Sequence, residues 1–401
     1  MTVAFLFATT LSSLGRAQSV APEAVSTAPS ANRESSALPK AETEPRWYER
    51  LHIRGYTQLR YNNLVETNHA LKSEQADKSV GGDPSVFLRR ARLLVYGDVF
   101  PRVSVYFQSD FASAFEDGLN FGQVRDWYTD IFLDDRKMFR IRAGQQKVPY
   151  GFELMQSSQN RLPFDRSDAL NSAFVNERDI GAFLFFETEY ARKKFRSLVD
   201  SGLKGSGDYG IAAVGVTNGQ PLNTREKNAN KHLFARLTYP FEIGSQTVEI
   251  GGGGYTGLFV PTKSEGVGGD RQIRDVRVHG TFVLYPRPIG FQAEYNVGVG
   301  PERDGDKVAE KPLDGGYVMA MVRVKTDAGH FTPYVRAHRY DGGKKFFENA
   351  PRHEVREVNA GIEWQPNKWL ELTAEFMKSE RTVDGRTQDG ELIRAQLQVN
   401  Y

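Results

Sequence analysis

From Leu51 to Tyr401 apolar and polar residues take turns in run after run, and this period of two most constrains what the chain can become. Successive side chains of an extended strand point to opposite faces, so strict alternation builds a strand with one oily and one wet face. In the first run Leu51, Ile53, Gly55, Thr57, Leu59 and Tyr61 share one face, while His52, Arg54, Tyr56, Gln58 and Arg60 share the other. The last run sets Ile393, Ala395, Leu397, Val399 and Tyr401 against Leu392, Arg394, Gln396, Gln398 and Asn400. Counted from Leu51, about sixteen such runs can be read in all.

The runs come in pairs, joined alternately by short turns (Asp134 to Lys137, Tyr285 to Pro288, Gln365 to Lys368) and by longer polar segments (Glu66 to Asp83, Lys263 to Asp270, Pro301 to Lys311). Short turns on one rim and long loops on the other are the layout of an outer-membrane barrel. Mean hydropathy is −0.50 and no stretch reaches the roughly 18 apolar residues of a spanning helix. A barrel meets no such requirement, because only every second residue faces lipid. A soluble β-sandwich also alternates, but it does not account for strands of about ten residues whose polar faces carry so many arginines. The expected fold is therefore all-β: a transmembrane antiparallel β-barrel of about sixteen strands.

The rhythm breaks between Lys147 and Ile180, where about thirty residues containing Pro149, Gly151 and Pro163 show no period. The economical place for such a segment in a wide barrel is the lumen, so an inward-folded third loop is expected. At the other end, the apolar run Val3 to Leu14 followed by Gly15 to Ala17 suggests a signal peptide over 1–17, although no Lys or Arg precedes it. Residues 18–48, rich in Ala, Ser and Pro, read as a disordered linker, and 49–401 as the barrel.

With no cysteine, disulfides and thiolate chemistry are excluded, and a net charge of +2 gives no whole-chain argument for nucleic acid. The seven histidines lack metal-ligand spacing, no hydrolase or phosphate-loop motif occurs, and neither a catalytic residue nor a cofactor is expected. Aromatics near strand ends, such as Trp127, Tyr239, Phe282, Trp364, Trp369 and Tyr401, suit the girdles of a membrane barrel.

Four stretches, Phe87 to Gly97 (FLRRARLLVYG), Arg125 to Tyr128 (RDWY), Ala143 to Gly151 (AGQQKVPYG) and Asp165 to Gly181 (DRSDALNSAFVNERDIG), make the region from Arg50 to Tyr401 resemble the phosphate-selective porin family of Gram-negative outer membranes. The resemblance implies sixteen strands, a homotrimer, and an arginine ladder leading to a constriction that holds an anion. By the same resemblance Lys147 is the constriction lysine, Arg166 the loop arginine and Asp126 an acidic partner. Arg89 and Arg90 start the ladder, and Arg178 lies in the last of the matching stretches. The family's usual Glu before the loop arginine is Asp165 here.

Parity by itself directs Arg54, Arg60, Arg90, Arg92, Arg140, Arg142, Arg236, Arg277, Arg336 and Arg394 into the lumen, and nearly as many acids with them, among them Asp110, Asp126, Asp130, Glu294 and Glu375. Guanidinium groups keep their charge and grip oxyanions with two parallel bonds, so a row of them can hand an anion along; paired with acids, the same row only lines a wet wall. The basic cluster of the first five strands, Arg54, Arg60, Arg89, Arg90, Arg92, Arg140 and Arg142, predicts an electropositive stripe. The expected function is an outer-membrane porin for passive diffusion of small hydrophilic solutes, preferring anions such as phosphate or polyphosphate, with outer-membrane lipid around it. The alternatives are a non-selective diffusion porin and an outer-membrane barrel hydrolase.

Overall fold

The computed structural model describes residues 46–73, 86–115 and 118–401. The leader expected over 1–17 and the linker up to residue 45 lie outside the described residues, as does part of the loop expected at Glu66 to Asp83. A 3-10 turn, Trp47–Arg50, leads into the first strand. The strands are β1 (Leu51–Glu66), β2 (Val86–Phe100), β3 (Val103–Phe115), β4 (Gly118–Phe132), β5 (Phe139–Lys147), β6 (Arg178–Phe186), β7 (Ala212–Thr217) and β8 (His232–Ile243). They continue with β9 (Gln246–Phe259), β10 (Ile273–Leu284), β11 (Ile289–Asp304), β12 (Lys307–Val322, resuming over Val324–Thr326 after a break at Arg323), β13 (Gly329–Gly343), β14 (Arg352–Asn367), β15 (Leu370–Val383) and β16 (Arg386–Asn400).

Each strand pairs antiparallel with its neighbours in the chain, and β16 returns to β1 with Asn400 opposite Tyr56, so the described residues form a closed barrel of sixteen strands. Closure leaves no free edge, which lipid would not tolerate. At the seam Gly55 and Tyr401 exchange backbone hydrogen bonds of 2.7 and 3.0 Å. Burial follows the alternation: Ile53, Val278, Val318, Val335 and Ile362 are exposed on the outside, while Tyr56, Arg60, Arg277, Arg336 and Arg394 are buried within. Trp127, Tyr239, Phe282, Trp369 and Tyr401 lie exposed on the outer surface.

One expected loop is a strand pair instead. Pro301 to Lys311 continues β11 into β12 and turns only at Gly305, where φ is +62°. Past the lipid both faces of a hairpin are wet, so alternation disappears from the sequence while the ladder continues, here with Lys311 paired to Asp304 at 3.0 Å.

The inner faces are not uniformly polar. Phe183 and Phe185 of β6, Phe234 of β8, Tyr255 of β9, Tyr317, Met319 and Met321 of β12 and Tyr334 of β13 are inward and buried. They pack against Val148, Tyr150, Leu154, Leu162, Leu170 and Phe174 of the segment between β5 and β6, which carries the short helix α1 (Asp168–Asn171). Burying each such side chain contributes on the order of 2 kcal/mol.

Candidate functional site

The segment 148–177 is held by named side chains of strands all around the ring. Its start is pinned where Glu294 of β11 accepts from the backbone N–H groups of Phe152 (2.5 Å) and Glu153 (2.6 Å), and where His279 Nε2 of β10 accepts from Gly151 N at 3.1 Å. Gly151 has φ +67°, and a Cβ there would meet the Glu294 carboxylate at 2.8 Å, so glycine is what lets the two approach. Further on, Asp165 binds Arg60 of β1 (3.2 Å) and Arg394 of β16 (2.5 Å), Glu153 binds Arg336 of β13 (2.9 Å), and Asp168 binds Arg381 of β15 (2.9 Å) and Lys344.

Burial alone would raise these carboxyls. At Asp165 the guanidiniums of Arg60 and then Arg394 outweigh it, and at Asp168 Arg381 and Lys344 do so, holding both well below the usual carboxylate range. Glu177 is held down in the same way by Arg166, Arg178 and Arg125.

Lys147, Arg166 and Asp126 are brought into one network. Lys147 Nζ donates to the carbonyls of Met155 and Gln156, each at 2.8 Å, and Arg166 Nη2 donates to the same Gln156 carbonyl at 3.0 Å. Arg166 reaches Glu177 at 2.5 Å, Glu177 reaches Arg178 at 2.6 Å, and Arg178 forks onto Asp126 at 2.9 Å. Arg125 joins at 3.5 Å from Glu177. Three arginines thus share two carboxylates, with Lys147 held beside them on loop carbonyls, and the cluster carries a positive excess.

Two β-bulges add adjacent charges to this wall, the second of them within the cluster. Gln58 faces Arg90 but Leu59 faces Leu88, leaving Arg89 as the extra residue of β2; Gln108 faces Asp126 but Ser109 faces Val124, leaving Arg125 as the extra residue of β4. A bulge lets two consecutive side chains point to one side of a sheet. Arg89 with Arg90, and Arg125 with Asp126, can therefore both reach the lumen. Gln145 braces the second bulge, its amide donating to the carbonyls of Val124 (3.0 Å) and Arg125 (3.1 Å). The conspicuous run Gly144 to Gly151 thus has a physical reading: Gln145 holds a bulge, Lys147 caps loop carbonyls and Gly151 admits a carboxylate.

A closed sixteen-stranded barrel whose wall bears this run is tested directly by family membership: the sequence profile described as phosphate-selective porin O and P matches residues 72–401. The chain belongs to that family. It is a porin channel of the Gram-negative outer membrane. No curated protein matches it in sequence. Among solved structures, the outer-membrane channel DcaP of Acinetobacter baumannii superimposes with a TM-score of 0.55 at 12% identity, covering 88% of this chain and 97% of that one. An anion-selective porin from Comamonas acidovorans gives 0.53 at 9% identity over 88% and 99% of the two chains, and the trimer form of OmpT from Vibrio cholerae gives 0.50 at 12% over 88% and 100%. At such identities the likeness is one of fold.

In this porin most of the arginines expected to form a ladder have acidic partners: Arg60 with Asp165, Arg89 with the same Asp165 at 3.6 Å, Arg92 with Asp110 (2.8 Å), Arg140 with Glu187 (3.3 Å), Arg142 with Asp130 (2.7 Å) and Arg178 with Asp126. Among the described residues no carboxylate lies within 4.0 Å of Arg54, Arg90 or Arg161. Arg54 is exposed and lies over the Tyr96 ring at 5.4 Å. Arg90 donates to Gln58 at 2.7 Å, and Arg161 to the carbonyls of Pro163 and Phe164. Each keeps a buried N–H without a partner, Arg90 Nε and Arg161 Nη1.

These residues border two cavities. The one toward the long loops, about 290 Å³, is lined by Arg89, Arg90, Arg92, Arg125, Arg161, Arg166 and Lys344 against Asp110 and Glu177. That volume holds about ten waters at ~30 Å³ each, room for an oxyanion with part of its hydration shell. The other, about 200 Å³, lies toward the short turns between Arg54, Lys147, Arg142 and Arg178, with Asp126 and Asp208 as its acids. The first sits against β2 to β4 and the second against β1 to β6, on the wall where parity clusters the arginines. Sequence reasoning missed Arg125, Arg161 and Lys344. Adjacent charges at Arg125 and Asp126 break the alternation and could have flagged the bulge; Arg161 lies in a segment with no period to read. Among the described residues no group of three or more His, Asp or Glu side chains is placed to hold a metal ion.

Proposed function

We propose that this porin prefers anions, that residues 148–177 are its third loop folded into the lumen, and that inorganic phosphate is the solute its long-loop cavity suits. The observation that carries the reading is the lining of that cavity, seven basic side chains against two acidic, with unpartnered N–H groups on Arg90 and Arg161. An oxyanion entering there gains charge-assisted hydrogen bonds that water supplies less well, and bidentate guanidinium geometry fits phosphate. Past it, Lys147, Arg166, Arg178 and Asp126 make the narrow step, where the positive excess is smaller and release is easier. Arg54, Arg140 and Arg142 continue the path toward the short turns.

The family's description as phosphate-selective and the fold shared with an anion-selective porin support the sign of the preference. Assembly as a homotrimer, supported by the likeness to trimeric OmpT, belongs to the same proposal and is read from native mass. The phosphate reading is tested by adding phosphate to single channels conducting chloride. Conductance falling with phosphate at low millimolar levels supports a site; phosphate acting no more strongly than added chloride rejects it.

A further inference from the structure

The connection between β6 and β7 is out of place. On the rim where the other connections run six residues at most, it spans residues 187–211 and opens with a helix, α2 (Glu189–Asp200). Thr188 caps that helix, accepting from Ala191 N at 3.3 Å, and the spacing of Ala191, Phe195 and Leu198 gives it one apolar face. That face is buried against Phe152 of the segment 148–177, against Val283 and Tyr285 at the end of β10, and against Ile211.

Beyond α2 the chain runs across the mouth. Lys204 reaches Glu363 of β14 at 2.5 Å, and β14 lies eight strands from β6 in a ring of sixteen, on the far wall. Arg323, at the break in β12, donates to Ser201 O at 2.9 Å, and Gln156 donates to Lys204 O at 2.7 Å. Gly202, Gly207 and Gly210 adopt left-handed backbone here, as glycines do; Lys204, with φ +64°, does so with a side chain. A lysine at a position that favours glycine, its ammonium on a buried carboxylate, points to a role for that ammonium.

We propose that residues 187–211 are a strap across the periplasmic mouth, a second restriction in series with the first, and that Lys204 is a selectivity-determining residue at the exit beside it. The exit is a cavity of about 810 Å³ that shares Arg54, Gln159 and Asn160 with the cavity above it, and five cationic against three acidic side chains border it, Lys204 and Lys368 among them. Lys204 borders that cavity and neutralises Glu363, which is buried beside Glu371 of the lining; without it an unpaired carboxylate lies behind the wall along which the same small anions leave. This inference rests on the anion-preferring reading above.

The test uses the full chain in planar bilayers, with heat-modifiable gel mobility confirming a folded barrel. Replacing residues 189–206 by a three-residue turn should raise single-channel conductance several-fold. Lys204→Ala should lower the chloride-over-potassium permeability ratio several-fold, Glu363→Gln should raise it, and the exchange Lys204→Glu with Glu363→Lys should return the ratio toward the parent. Parental conductance in the folded shortened barrel, or point variants that leave the ratio unmoved or shift it the same way, overturns the proposal; the point variants decide alone if the shortened chain does not assemble. A shift in Arg90→Ala and Arg161→Ala but not in the strap variants rejects the strap and leaves the anion reading standing. A cation-selective parent rejects the anion reading, while the conductance of the shortened barrel still judges the strap.

Discussion

Arg394, on the last strand, and Asp165, in the segment between β5 and β6, meet at 2.5 Å. The same carboxylate takes Arg60 of the first strand at 3.2 Å, so one side chain fastens the segment to both sides of the seam where the barrel closes. Removing one partner of a buried ion pair costs about 3–5 kcal/mol because the other charges stay buried. Asp165→Asn should therefore loosen the segment, giving larger and noisier single-channel currents and a lower temperature for loss of the folded gel band. Asp165→Glu should keep parental behaviour, and a silent Asp165→Asn contradicts the fastening role.

Acid acts on the same contacts. Asp165, Asp168 and Glu177 are held below the usual carboxylate range by the arginines and lysine beside them, against the effect of burial. A carboxyl with a lowered folded-state pKa contributes its stabilisation above its unfolded value, about 4, and loses it as pH falls through the folded value. The difference in conductance between the parent and Asp165→Asn should stay level between about pH 7 and 5 and shrink only in acid well below pH 4. A difference that shrinks already between pH 7 and 5 contradicts this assignment.

Gly55 tests the seam itself. A Cβ there would lie 2.4 Å from the Arg92 carbonyl and 2.4 Å from the Tyr401 ring, which rests over the glycine. Gly55→Val should destabilise closure by about 1–3 kcal/mol, as overpacking does elsewhere, and lower the melting of the folded gel band. An unchanged melting profile means that the ring is free to move aside.

The strands were legible because lipid outside and water inside impose the same alternation on each of them, and the seam, the parity of Arg60 and Arg394 and the outward Ile53 follow from it. Three things obscured the rest. Where inward positions pack against the segment 148–177 rather than water they become apolar, and Phe183, Phe185, Met319 and Met321 give β6 and β12 oil on both faces. At Arg89 and Arg125 a bulge resets the parity, so residues on either side of it belong to different counts. The helix α2 sits within a barrel pattern, and its cap at Thr188 and the spacing of Phe195 and Leu198 are its sequence signals. Parity also gives direction without partner, so it could not separate Arg142, paired with Asp130, from Arg90, which faces Gln58.

Arg90 and Arg161 are where an anion preference is most open to removal, since no carboxylate is left unpaired when they go. Arg90→Ala with Arg161→Ala should reduce the chloride-over-potassium permeability ratio several-fold while leaving folding intact. Arg142→Ala, which strands Asp130, should lower stability as well, read from the melting of the folded gel band.

The zero-current potential of the unaltered porin in a planar bilayer, across a tenfold KCl gradient, reads the anion preference itself. An anion-preferring channel gives the sign of chloride preference, reduced in the Arg90→Ala, Arg161→Ala double variant. A potential of the cation-selective sign, or one that the double variant leaves in place, contradicts it.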